Sequence, residues 1–425
     1  MSSTALLTLR GLAACVAAAC VSTVASAAGA GGTPFKLGTF EAKGKEFVGL
    51  VLQDKRVLDI AVANAAFESR NSKAAKVVPP QDMKELIARY ERDVGPRLRE
   101  LAAANANAEA GAASYVYAVT AVKVLPPVRP AVILNAGANY PAHAQGIIQQ
   151  NARAAGGAAE PSAPGAGAPG ANAGAQGATN ASPTSGRASN GGQADAGPAA
   201  AGAPNAAGGR GPAPVSSAPG LWERPAGDTR PDNPYLFLKS PSVVVGANDD
   251  VVIPRGRDQI DWECEFALVV GTPAKNVSTT DAGKYIFGYS IEFDVSDRGG
   301  RNDRKMGGGP DWFVQKNHDT FAPLGPFIVP KEFLPNPMNT RHYFTLNGEP
   351  KQDANTSQME YNIWEMLSYA SNVLTLNPGD IVSMGTPSGT NIDVQTAARW
   401  MKAGDVGVCV VDGVGEQRHN IIAQK

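Results

Sequence analysis

Glu263 and Glu265 stand two residues apart in Asp261-Trp-Glu-Cys-Glu-Phe-Ala-Leu-Val-Val270, a run whose apolar content predicts a strand. The period of two puts both carboxylates on one face of that strand and Cys264 on the other. Carboxylates held that close repel unless a cation neutralises them, and an all-oxygen set suits Mg²⁺, Mn²⁺ or Ca²⁺. The same alternation also fits an acidic strand facing solvent. A second run, Tyr289-Ser-Ile-Glu-Phe-Asp-Val-Ser-Asp-Arg298, reads as a strand that breaks at Gly299 and Gly300. It places Asp294 near a strand end and Arg298 in the following loop, where sites are usually built. Asp294 can supply a third carboxylate, leaving metal positions open for water and a bidentate substrate. In a purely structural role it would cap a turn.

Three more stretches supply context. Residues 132–143 form an apolar strand that runs into a loop with a lone His143, Lys316 lies just before a proline-braced turn, and residues 378–389 end a strand in a tight turn. In chain order, Asn139-Tyr140 followed by His143, then Glu263-x-Glu265, Asp294-Val-Ser-x-Arg298, Lys316 before Pro323-Leu-Gly-Pro326, and Gly385-Thr-Pro-Ser-Gly389 resemble the fumarylacetoacetate hydrolase family. The resemblance runs over residues 132–420, an insertion excepted. It implies a metal site of Glu263, Glu265 and Asp294 holding Mg²⁺ or Mn²⁺, on which a 2-oxo or β-diketo acid chelates. By the same resemblance Tyr140, Arg298 and Thr386 bind the substrate, Lys316 stabilises the developing enolate, and His143 is the general base that activates water. Family members commonly form dimers, so a homodimer is expected.

The sequence departs from that pattern in two places. Many members carry a Glu three residues after the catalytic His to orient its imidazole; here the position is Gly146, which puts the hydrolytic dyad in doubt. Glu223 could fold back to replace it. The family's Gln after the Asp-Val-Ser-x-Arg stretch is also missing, with Gly299, Gly300 and Arg301 there instead, and Arg301, Arg304 and Lys305 add positive charge within a glycine-rich lid loop. The expectation is therefore a metal-dependent hydrolase that cleaves a carbon–carbon bond of an acylpyruvate-like or β-diketo acid. The alternatives are an oxo-acid decarboxylase or isomerase, which needs no positioned hydroxide, and a binding protein that keeps the metal pocket without turnover.

The elements that must position these groups are short strands bounded by Gly, Pro and Asn from residue 234 onward, interrupted by one helix at 361–370. That spacing predicts an α+β, β-rich fold, a β-sandwich or rolled sheet, and no glycine-rich nucleotide loop accompanies it. Residues 34–125 read as a small α+β domain with strands near 47–52 and 57–60 and one helix over 82–101; 126–425 hold the catalytic domain. Within the latter, 152–220 form an Ala/Gly/Pro-rich insertion. Residues 154–214 contain no Val, Leu, Ile, Met, Phe, Tyr, Trp or Cys, so they cannot bury enough apolar surface to offset their ordering entropy, and disorder is expected.

At 425 residues, 43% hydrophobic and a formal net charge of -1, the chain can bury a large core and has no electrostatic reason to bind nucleic acid or an anionic membrane. A small oxo-acid fits better as partner. Residues 1–27 read as a signal peptide cleaved after Ala27, its apolar run at 11–21 too short to span a bilayer, which predicts a periplasmic or secreted protein. Cys15 and Cys20 leave with it. Cys264 and Cys409 lie in apolar strands, and two buried free thiols are the expectation over a disulfide.

Overall fold

The computed structural model describes residues 32–155, 222, 224–230, 232–301, 311–393 and 399–425. The segment expected to be a signal peptide, most of the Ala/Gly/Pro-rich run, Glu223, Arg304 and Lys305 lie outside the described residues. The fold is α+β and rich in strands.

Near the N-terminus, Lys36–Ala42, Lys45–Leu52 and Arg56–Asp59 form an antiparallel meander whose edges are extended by Val116–Ala118 and Lys123–Leu125. Its first hairpin turns on Lys43 and Gly44, both at positive φ, the geometry that matches strand twist in a two-residue turn. The run expected to stay extended through residue 60 stops at Asp59, whose carboxylate accepts hydrogen bonds from the Ala61 and Val62 amides and starts the helix Ile60–Arg70. The single helix expected over 82–101 is instead Met83–Arg89 and Gly95–Ala104, joined by a π turn at Tyr90–Val94. Pro96 explains the break: it lacks the amide proton an α-helix would use there, and its ring crowds the preceding turn.

The part of the chain from residue 126 onward is built on a sheet whose strands run in the order Tyr235–Lys239, Ile133–Gly137, Ile381–Ser383, Cys264–Val270, Ile286–Phe293, Ala322–Leu324 and Val244–Gly246. The two faces of this sheet have different partners. Cys264, Phe266 and Leu268 point toward a second sheet made of Glu349–Asn355, Arg341–Leu346, Val406–Val411, Gly415–Ala423 and Val251–Ile253, and pack with Phe344, Leu346, Val411 and Ile421. Met366, Leu367 and Ala370 of the helix Ile363–Val373 join this core; Asn362 and Glu365 close its first turn as a capping box. The alternate residues Ala267 and Val269, with Ile133, Ile381 and Phe287, pack against Leu37, Leu50, Leu58 and Leu86 of the N-terminal elements. Glu263 and Glu265 belong to this second face by the period of two, so the site grows where the apolar contact with the N-terminal elements gives way to polar groups.

One expectation is overturned. Cys264 and Cys409 form a disulfide, with Cα atoms 5.5 Å apart and 145 residues between them in the chain. Both strands point these side chains inward between the two sheets, a juxtaposition set by sheet packing and invisible in the spacing. The bridge ties the strand that carries Glu265, and Glu263 just ahead of it, to the opposing sheet. Closing so long a loop restricts the unfolded chain, so Cys409→Ser, or reduction of the native protein, should lower stability by about 2–5 kcal/mol. Thermal unfolding with and without reductant measures this; an unchanged midpoint would show that the bridge contributes nothing.

Candidate metal centre and catalytic dyad

Glu263, Glu265 and Asp294 come together, each offering one carboxylate oxygen within 4.8 Å of the others, and all three are buried. Each is held by its own local geometry. Asp294 follows directly on the strand Ile286–Phe293, where its amide donates to the Glu263 carbonyl across the ladder (2.9 Å). One oxygen of Glu265, Oε2, accepts the Gly385 amide at 2.9 Å. Gly385 has φ +83° and a Cβ there would stand 2.8 Å from the Ala136 carbonyl, so only glycine brings this amide to the carboxylate. The other oxygen, Oε1, is buried with no hydrogen-bond partner. A buried carboxylate oxygen left in that state is costly unless a cation completes it, and the all-oxygen donor set fits a hard divalent metal.

Three basic groups crowd the acids. Lys316 Nζ donates to Glu263 Oε2 at 2.9 Å and to Asp294 Oδ2. Lys239, fully buried, pairs with the other oxygen of Asp294 and donates to the Val295 carbonyl at 3.2 Å. Arg298 spans Asp261, at 3.1 Å, and Glu263. Burial alone would raise the Glu263 carboxyl, but Lys316 and Arg298 overcome it and hold it below the usual carboxylate range. Glu265 has no such base: burial, then Asp294, Glu292 and Glu263, push it well up. Burial also raises Asp294, against the pull of Lys239 and Lys316. The Lys316 ammonium, which burial would depress, is kept raised by Asp294 and Glu263.

His143 sits not in a loop but in the first turn of a helix, Pro141–Ala155. Its Nδ1 lies 2.9 and 3.0 Å from the two carboxylate oxygens of Asp393. Asp393 is itself fixed by the amides of Gly389 and Thr390 and by the Thr390 hydroxyl, at 2.9, 3.2 and 3.0 Å. The doubt raised by Gly146 therefore has a physical answer: a Cβ at residue 146 would stand 2.6 Å from Asp393 Oδ1, so the side-chain space an acid there would enter is already filled by an acid from another loop. With the Asp393 carboxylate accepting from Nδ1–H, Nε2 keeps its lone pair for an incoming proton.

The other expected residues fall into two groups. Thr386 is buried, and its hydroxyl accepts from Gln352 Nε2 at 2.7 Å, which leaves its own proton to donate. Gln352 also accepts the Cys264 amide at 3.1 Å, linking the ligand strand to the Gly385-Thr386-Pro387 turn. Tyr140 is buried, and its hydroxyl lies 2.7 Å from His342 Nε2, whose Nδ1 lies 3.1 Å from the Cys264 carbonyl. A carbonyl only accepts, so Nδ1 carries the proton and Nε2 accepts from Tyr140. Burial depresses the His342 pKa to about 4, consistent with this neutral form. Tyr140 therefore braces the strand between the two glutamates. Arg301 pairs with Asp311 at 3.5 Å.

Asp393, Lys239, Asp261 and Glu292 were not singled out from sequence. Lys239 had a faint signal, as the third member of the alternating face Tyr235, Phe237, Lys239 of one strand. Asp393 had none, being 250 residues from the histidine it contacts.

The fumarylacetoacetate (FAA) hydrolase C-terminal family profile matches residues 209–422, half of the chain. The chain belongs to the fumarylacetoacetate hydrolase family. It is 35% identical over 192 residues to a putative hydrolase of Burkholderia multivorans, covering 45% of this chain and 67% of that protein. It is 37% identical over 185 residues to a mitochondrial oxaloacetate tautomerase of Xenopus laevis, covering 44% of this chain and 57% of that protein. In fold it is similar to maleylpyruvate hydrolase from Sphingobium sp. SYK-6, whose structure was solved in complex with manganese (II) ion and pyruvate; the TM-score is 0.54 at 22% identity, covering 92% of this chain and 100% of that one. Family members thus include hydrolases and tautomerases of small oxo-acids.

Proposed function

We propose that this protein is a divalent-metal-dependent hydrolase that cleaves a carbon–carbon bond of a small acylpyruvate-like or β-diketo acid. The observation that carries this reading is the His143–Asp393 pair, an oriented general base beside the acidic triad. Glu263, Glu265 and Asp294 would hold the ion, Mg²⁺ or Mn²⁺ with Ca²⁺ as the third possibility, and when bound it supplies Lewis-acid polarisation of the oxo-acid oxygens. His143 Nε2 takes a proton from water as the water oxygen bonds to the acyl carbonyl carbon. As the adjacent carbon–carbon bond breaks, its electron pair passes to the departing 2-oxo acid as an enolate, which Lys316 stabilises by charge and the Thr386 hydroxyl by hydrogen bonding. The enolate carbon then regains a proton, the one His143 took from water, which returns the imidazole to its neutral form. Arg298, engaged by Asp261 and Glu263, orients the acids and meets the substrate carboxylate only if it leaves one of them.

A second reading, an oxo-acid tautomerase or decarboxylase, is favoured by the similarity to the Xenopus laevis tautomerase and uses the same enolate-stabilising groups with no attacking water. Incubating the Mn²⁺-loaded protein with acylpyruvates and with oxaloacetate, and resolving products by chromatography, separates the readings. Release of pyruvate plus a carboxylic acid from acylpyruvates supports hydrolysis. Keto–enol exchange or CO₂ release from oxaloacetate alone supports the second, and metal-dependent oxalate binding with no turnover would leave a binding protein. The disulfide supports an oxidising, exported location, which the apolar leader of the sequence also suggests. No helix among the described residues is long and apolar enough to cross a membrane. We further propose a homodimer, which sedimentation would test.

A further inference from the structure

Glu292 is fully buried on the strand Ile286–Phe293 and stands directly opposite Glu265 in the antiparallel register, on the same sheet face. One of its oxygens accepts from the Asn135 amide; the other, Oε1, is buried with no partner. Asn135 Oδ1 and Ser383 Oγ, on the strands Ile133–Gly137 and Ile381–Ser383 that continue the sheet beyond the Glu265 strand, also lack a close partner, the Ser383 hydroxyl reaching Glu265 and Glu292 only weakly; these three with Glu265 Oε1 are the buried side-chain polar atoms without a close partner among the described residues. They form one belt across adjacent strands, between the apolar contact with the N-terminal elements and the acidic triad. Buried polar atoms are ordinarily paired, so a belt of unpaired ones needs a cause. Charge supplies it. Apart from the His143–Asp393 pair and Asp297 with its partner Arg257, five acids, Asp261, Glu263, Glu265, Glu292 and Asp294, face three bases, Lys239, Arg298 and Lys316, and one divalent cation balances the excess.

We infer that Glu292 is a fourth carboxylate of the metal centre, a positioning residue that sets how tightly the triad holds its cation. This rests on the reading of the triad as a metal site. The test measures Mn²⁺ binding by calorimetry and by electron paramagnetic resonance on the full protein, with unfolding midpoints taken in chelator. Glu292→Gln keeps the shape and removes the charge. It should weaken Mn²⁺ binding about 10-fold or more, as loss of an outer carboxylate does elsewhere, while the midpoint in chelator stays level or rises because an uncompensated buried acid is gone. Glu292→Asp should recover part of the affinity. Wild-type affinity in Glu292→Gln would overturn the inference. So would equal weakening in both variants together with lowered midpoints, which would mark a packing role. Glu265→Gln is the control: if it too binds Mn²⁺ like wild type, the triad reading fails rather than the assignment of Glu292.

Discussion

Stripping divalent cations should abolish turnover, and Glu265→Gln should weaken Mn²⁺ binding by about 100-fold or more, beyond the 10–100-fold that loss of outer partners costs. The expectation follows from how Glu265 is held. The Gly385 amide fixes one oxygen, and the other is buried and unpartnered, so the residue is already ordered for a cation. Stability carries the same signature. Without a cation, Glu265 sits buried among Asp294, Glu292 and Glu263, all pushing its pKa up. A ligand that binds only the folded state stabilises it by about 2.7 kcal/mol at 100 times its Kd. Mn²⁺ should therefore raise the unfolding midpoint by several degrees in the wild type and by much less in Glu265→Gln. A midpoint indifferent to Mn²⁺ in the wild type would refute the metal centre, whatever the activity assays show.

Asp393→Asn should lower kcat for carbon–carbon hydrolysis by about 10³-fold or more, with little change in Mn²⁺ affinity. Asn can present its amide N–H to Nδ1, which favours the tautomer with the proton on Nε2 and removes the lone pair that receives the water proton. The comparable change in the serine-protease triad costs about 10⁴ in kcat. His143→Ala should match it within a few-fold, because the two residues act as one base. Tautomerisation or decarboxylation of oxaloacetate, if the protein performs either without the dyad, should survive both substitutions. Full hydrolytic activity in Asp393→Asn would show that the imidazole is not the base.

Much of the candidate metal centre is legible in the linear chain because its determinants are local. Glu263 and Glu265 share a face through the period of two, Asp294 closes a strand, and Lys316 sits at the end of a short helix, Trp312–Lys316, beside them. The short strands and turn residues likewise pointed to a β-rich fold. The helix that bears His143 was read as a loop because its first residues, Pro141-Ala-His-Ala, carry no apolar periodicity; Pro suits a first helical turn, a weak signal next to Asn139-Tyr140.

The amino-acid sequence by itself thus determined which carboxylates can meet a cation, since strand geometry converts spacing into direction. Tertiary structure alone decided what surrounds them. Asp393 behind His143, Cys409 bonded to Cys264, Lys239 on Asp294 and Glu292 facing Glu265 all depend on which strand lies beside which and in what register. Those choices are made by burying two faces of one sheet at once. No local pattern encodes the resulting partners, because a one-residue slip in register would exchange every one of them.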